Sequence, residues 1–229
     1  MKKLFSILFI LIAVMNLVIA QTPTAAPPSN QPDKKNKKPP MGIGIKGGMN
    51  FANVTKVSDI NNSKTTGFVF GAFLAPPSKS IISSRTELLY SKQGYNYADQ
   101  TNTGTVNLKY IILPQLMGIN ITKFVQLQVG MQMAYLINAT ADSSKPASGS
   151  NPYAPIMDYY NRFDYGAAGG IEIYPIKNVL IGARLNISFG DLYKDPMSVE
   201  GGTSPTPPSF IPKVDVKNNV LQVFVGIRF

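Results

Sequence analysis

From Gly42 onward apolar and polar positions alternate one for one, over stretch after stretch. Val179, Ile181, Ala183, Leu185, Ile187 and Phe189 are separated by Leu180, Gly182, Arg184, Asn186, Ser188 and Gly190. Val125, Leu127, Val129, Met131, Met133 and Tyr135 form a second apolar row against Gln126, Gln128, Gly130, Gln132 and Ala134. Ile43, Ile45, Met49 and Phe51 oppose Gly44, Lys46, Gly48 and Asn50, and Tyr165, Ala167, Ile171 and Ile173 oppose Asp164, Gly166, Ala168 and Glu172. A period of two is the mark of strands, whose successive side chains point to opposite faces. No segment after Gly42 shows a helical period.

The pattern predicts eight strands, at about 42–52, 65–75, 81–95, 105–119, 123–139, 160–174, 178–192 and 218–229. Tight connections ("PPSKS", "NITK", "PIKN") alternate with long polar ones near 53–64, 96–104, 140–159 and 193–217. Short turns at one end and long loops at the other predict an all-β fold, an eight-stranded antiparallel up-and-down transmembrane β-barrel with both termini at the turn end. The small, polar row suits a narrow filled lumen, and the continuous apolar row suits lipid. Aromatic residues near strand ends are expected to form interfacial girdles: Phe51, Tyr95, Tyr135, Tyr159, Tyr160 and Tyr193 at the loop end, Phe73, Phe124 and Phe229 at the turn end. The last row, Leu221, Val223, Val225, Ile227 and Phe229, runs to the final residue. A terminal strand of that kind is held only if both its edges are paired, here by the first and seventh strands.

The region before Gly42 differs. Lys2 and Lys3, the apolar run Leu4–Ile19 and the small residue Ala20 read as a secretory signal peptide, 1–20. Residues 21–41 contain six prolines and no Val, Ile, Leu or aromatic residue, which predicts a disordered Pro/Lys-rich spacer. Its Lys34, Lys35, Lys37 and Lys38 suit contact with anionic lipid or cell-wall polymer, or simple solvation. The barrel domain is then 42–229.

The chain has 22 Lys+Arg against 12 Asp+Glu, no histidine and no cysteine. Export makes nucleic acid a poor partner for this basic surplus. Without His or Cys there is no Ser-His triad and no usual zinc or thiol site, so no enzymatic activity and no cofactor is expected. "GIGIKG" at 42–47 fits the dinucleotide fingerprint by letter, but strand alternation runs through it where a helix should open. The charged residues of the polar rows, Lys46, Arg85, Glu87, Asp164, Glu172, Arg184 and Arg228, are read as a structural ion network within the lumen rather than a catalytic carboxylate pair. The loop 193–217 holds five prolines and is either a binding loop or plain connection.

The stretches "GIKGGMNFANV" ending at Val54, "ELLYSKQGYNY" at 87–97, "VNLKYIILPQLMGI" at 106–119 and the closing "VLQVFVGIRF" resemble the PorT-like outer-membrane β-barrel family of Bacteroidota. The resemblance implies a location in the bacterial outer membrane, surrounded by its lipid. It also implies that Phe229 serves as the signal read by the barrel-assembly machinery during biogenesis. The fourth strand departs from the pattern in having Ile112 where an acidic residue is common, which leaves its facing open. The founding member is associated with type IX secretion. The function expected is a structural or interaction role, accessory to a secretion or envelope complex through the outer loops or the spacer. The alternatives are a narrow channel for small solutes and a soluble periplasmic ligand carrier.

Overall fold

The computed structural model describes residues 42–54, 61–76, 80–98, 103–143, 157–193 and 216–229. The expected signal peptide, the spacer and most of the loop 193–217 lie outside the described residues. Eight strands follow in order: β1 (Ile43–Val54), β2 (Asn61–Leu74), β3 (Ile82–Ala98), β4 (Thr103–Asn120), β5 (Val125–Ser143), β6 (Phe163–Ile176), β7 (Val179–Ser188) and β8 (Asn218–Arg228). Each pairs antiparallel with its neighbour in the chain, and β8 pairs with both β7 and β1 to close the barrel. The Phe229 amide donates to Ile43 O at 2.8 Å, so the pairing continues past the last ladder residue. Closure leaves no strand edge to be satisfied by lipid.

Strand ends differ from expectation at the loop end. β2 begins at Asn61, β3 runs to Ala98 and β5 to Ser143, so the hairpins stand taller than the alternation suggested. Polar residues such as Asn62, Asn96 and Thr103 read as loop by composition, yet the ladder carries them: Ser63 faces Asn96, and Thr103 faces Ala98. β7 instead stops at Ser188, short of the expected 192. Beyond it the chain turns inward, where Leu192 donates its amide to Val216 O at 2.8 Å and Tyr193 bridges Tyr160. A 3-10 turn, Met157–Tyr159, precedes β6, which starts at Phe163 rather than 160.

The rows face as the alternation implies for most strands. Ile45, Met49, Leu127, Val129, Met131, Ile171, Ile181, Leu185, Val223 and Val225 are exposed on the outer wall. In water this wall would be one large apolar patch; in a membrane it is the band that a barrel requires. On the same wall Thr86 donates to Gln115 across β3 and β4 at 3.1 Å, which pairs two polar groups against lipid.

The fourth strand is settled by the fold. Its even positions point inward, and Val106, Leu108, Tyr110, Ile112 and Leu116 are all buried. Pro114, which has no N–H to donate, falls where the β3–β4 ladder passes from Thr86↔Gln115 to Leu89↔Ile112. Opposite, β5 carries an extra residue: Tyr110 pairs with Leu136 but Lys109 with Asn138. This bulge at Ile137 moves the inward row from even to odd positions, bringing Ala139 and Ala141 inside. Gly94 adopts φ 151°, where an added Cβ would sit 1.9 Å from Val106 O. Only glycine allows β3 to lie so close to β4 there.

The girdle expectation needs correction. Tyr95, Tyr160, Tyr193 and Phe73 are buried inside the barrel, and Tyr159 packs against the same interior. Phe51, Phe124 and Phe229 are exposed on the wall as expected.

Candidate functional site: the barrel interior

Inward rows of β1, β3, β5, β6 and β7 place Lys46, Arg85, Glu87, Gln128, Glu172 and Arg184 in one layer midway along the bore. All six are buried. Glu87 Oε2 lies 2.7 Å from Lys46 Nζ and accepts from Arg184 Nη1 at 2.6 Å, while its Oε1 accepts from Arg184 Nη2 at 2.9 Å. The second centre is Glu172, which accepts from Arg85 Nη1 at 2.5 Å and from the Tyr174 hydroxyl at 2.8 Å. The two centres are linked, since Arg85 Nη1 is 3.7 Å from Glu87 Oε1 and Arg184 Nη2 is 4.0 Å from Glu172 Oε1.

Three cations thus meet two carboxylates. Neutral groups offset the surplus. Arg184 donates to Gln128 Oε1 at 2.6 Å, and Arg85 donates to the Tyr174 hydroxyl at 3.0 Å. The Phe224 ring lies 3.9 Å from Lys46 Nζ and 5.2 Å from the Arg184 guanidinium, and Phe73 lies 4.6 Å from that of Arg85. Ring faces carry partial negative charge and stabilise cations removed from water. Gly182 makes room for this arrangement: an added Cβ would meet the Phe224 ring at 2.6 Å.

Five of the seven charged residues singled out in the sequence come together here. The other two do not. Asp164 lies toward the loop end, where it accepts from Ser188 Oγ at 2.5 Å. Arg228 stands at the turn end and makes no salt bridge among the described residues. The aromatic partners Phe73, Tyr174 and Phe224 were not legible as such, because a cation–π pair across a bore leaves no spacing in the chain.

Above the ions is a polar layer. Asn50 donates to Ser91 Oγ at 2.8 Å, Gln93 to Ser91 Oγ at 2.9 Å, and Asn218 to Gln93 Oε1 at 2.6 Å. Above that the loop end is filled by apolar side chains, among them Val106, Leu108, Tyr110, Ile112 and Leu136. Tyr95 hydrogen-bonds Tyr160 at 2.9 Å and also Tyr193, and the Tyr160 and Tyr193 rings pack at 5.0 Å. Burial pushes the Tyr193 hydroxyl up to about 12, which keeps it protonated at neutral pH. This core was missed in the sequence, although a signal exists. Val106, Leu108 and Tyr110 alternate with Asn107 and Lys109, a buried apolar row whose polar complement is only half-buried.

Residues 29–194 match the family model described as outer membrane protein beta-barrel domain. The chain belongs to this family. As an outer membrane protein beta-barrel it sits in the bacterial outer membrane, which removes the soluble periplasmic carrier as a reading. Among solved structures it is similar to Neisserial surface protein A, with 13% identity and a TM-score of 0.53 over 82% of this chain and 97% of that one. It is also similar to the attachment invasion locus protein Ail of Yersinia pestis (14% identity, TM-score 0.47, 82% and 99% coverage). OprG of Pseudomonas aeruginosa follows at 10% identity and a TM-score of 0.44, covering 83% and 96%. At these identities the likeness concerns the fold. Among curated proteins none matches the chain.

Proposed function

We propose that this outer-membrane barrel is closed to solutes and acts as a structural or interaction protein, without enzymatic activity. One observation carries the reading: Arg184 and Glu87, from opposite sides of the barrel, meet in the bore within a layer of buried charges. An eight-stranded barrel has an interior that side chains can fill, and here the ions, the polar layer and the apolar core occupy it in series. Recognition then falls to the loop end or to the Lys-rich spacer 21–41. The resemblance to the PorT-like family of Bacteroidota supports an accessory place in a secretion or envelope complex. Export follows from a cleavable signal peptide at 1–20, and the five linked charges, Lys46, Arg85, Glu87, Glu172 and Arg184, serve as a structural plug.

Phe229 is proposed as the signal for the barrel-assembly machinery. It ends the lipid-facing row of β8 and is 70% exposed, so a recognising protein can reach it before closure.

Planar-bilayer conductance of the purified protein, with liposome swelling in small sugars, tests the closed barrel. The expected result is no steady current and no swelling. Steady ohmic currents that a bulky lumen residue such as Asn186→Trp abolishes would establish a narrow channel instead.

A further inference from the structure

The turn end of the barrel contains a cleft of about 410 Å³ whose walls include Ser80, Asn120, Thr122, Lys123 and Arg228. Both cations are available. Lys123 Nζ lies 4.8 Å from the Phe124 ring, and neither cation makes a salt bridge among the described residues. Glu172 is not among the lining residues; it is paired with Arg85 and accepts from the hydroxyl of Tyr174, which lines the cleft. Thr122 Oγ1 accepts from the Phe124 and Val125 amides, each at 3.1 Å, and so keeps its own hydrogen to donate. Asn120 is fixed by its bond to Ser80 O at 3.1 Å and by accepting from Gln126 at 2.7 Å. The cleft therefore offers two positive charges and neutral donors on a braced frame, with no Asp or Glu side chain among the described residues that line it.

Its surroundings are apolar. Ile81, on the cleft wall, is 69% exposed, and Ile121, Phe124 and Ile176 are exposed around it. A polar anion site beside bare aliphatic and aromatic surface matches a molecule with an anionic head and a hydrocarbon tail. Short turns of such barrels face the periplasm, so the leaflet beside this cleft is the inner one. We propose that the cleft binds the phosphate group of an anionic phospholipid of the inner leaflet, with Lys123 and Arg228 on the phosphate and Ile81 against the acyl chain. Arg228 then has a role that the mid-bore ions do not share. The inference rests on the barrel and its orientation, and holds whether or not the bore conducts.

The chain contains no tryptophan, so Ile81→Trp supplies a single fluorescent reporter at the cleft. The full chain carrying it is refolded into phosphatidylcholine vesicles doped with brominated phosphatidylglycerol or with brominated phosphatidylcholine. Quenching should favour phosphatidylglycerol, and Lys123→Gln and Arg228→Gln should each reduce the preference about fivefold. Heat-modifiable mobility reports folding; if Arg228→Gln folds poorly, Lys123→Gln, on an exposed turn, decides alone. Soluble glycerol phosphate separates the sources: displacement of the lipid assigns the site to free phosphate esters, and its failure assigns the site to phospholipid. Equal quenching by the two lipids, or a preference that the variants keep, overturns the proposal.

Discussion

Arg184 on β7 holds both carboxylate oxygens of Glu87 on β3, at 2.6 and 2.9 Å, across the bore and between positions 97 residues apart. Lys46 approaches the same carboxylate from β1, so one side chain ties three strands that are not neighbours in the ladder. The pair is out of water, where removing one partner leaves an uncompensated charge.

Glu87→Gln should therefore destabilise the barrel by about 3–5 kcal/mol, because three cations would then face Glu172 alone. Urea unfolding in detergent micelles measures it. Adding Lys46→Met should recover part of the loss; a double variant as unstable as the single one would count against charge balance as the cause.

Gln128 offers the opposite test. Its Oε1 already accepts from Arg184 at 2.6 Å, and the layer carries one cation more than it has carboxylates. Gln128→Glu should hold or raise stability by about 1 kcal/mol at neutral pH. Gln128→Lys, similar in size but adding a fourth cation, should cost about 3 kcal/mol or more. Equal effects of the two would refute the surplus.

The apolar fill at the loop end predicts that Leu108→Ala costs about 2–5 kcal/mol, since the cavity cannot collapse between paired strands. Tyr193→Phe removes only a hydroxyl bonded to Tyr95 and should cost about 1 kcal/mol. Unfolding midpoints of the two variants in one detergent give the comparison.

On the outer wall, Val129→Arg and Leu185→Arg should each cost about 2–4 kcal/mol near the middle of the membrane. Folding yields into thin and thick bilayers provide the readout. Wild-type yield in both would place these residues outside the hydrocarbon.

Deleting 220–229 removes the strand that pairs with both β7 and β1 and should abolish folding in vesicles. Phe229→Asp alters one exposed side chain. It should fold normally in vesicles yet reach the outer membrane of cells at reduced level. Loss in both settings would mark the residue as structural rather than as a signal.

The chain's alternation determined the strands and most of their facing, because a period of two assigns every residue of a half-buried strand to one side. It could not assign β4, where Ile111, Ile112, Leu113 and Leu116 make both rows apolar and only closure against β3 and β5 puts the even positions inside. Tyr95 continues the inward odd row of Glu87 and Ser91 on β3, and alternation alone puts it inside. Tyr160 and Tyr193 lie outside the ladders, and only the inward turn after Ser188 bridges them to each other in the bore. The polar rows named the charges without saying which would meet. Arg184 faces Glu87 and Arg228 faces the turn-end cleft because the stagger of eight closed strands sets the height of each residue, and that stagger exists only once β8 has paired with β1.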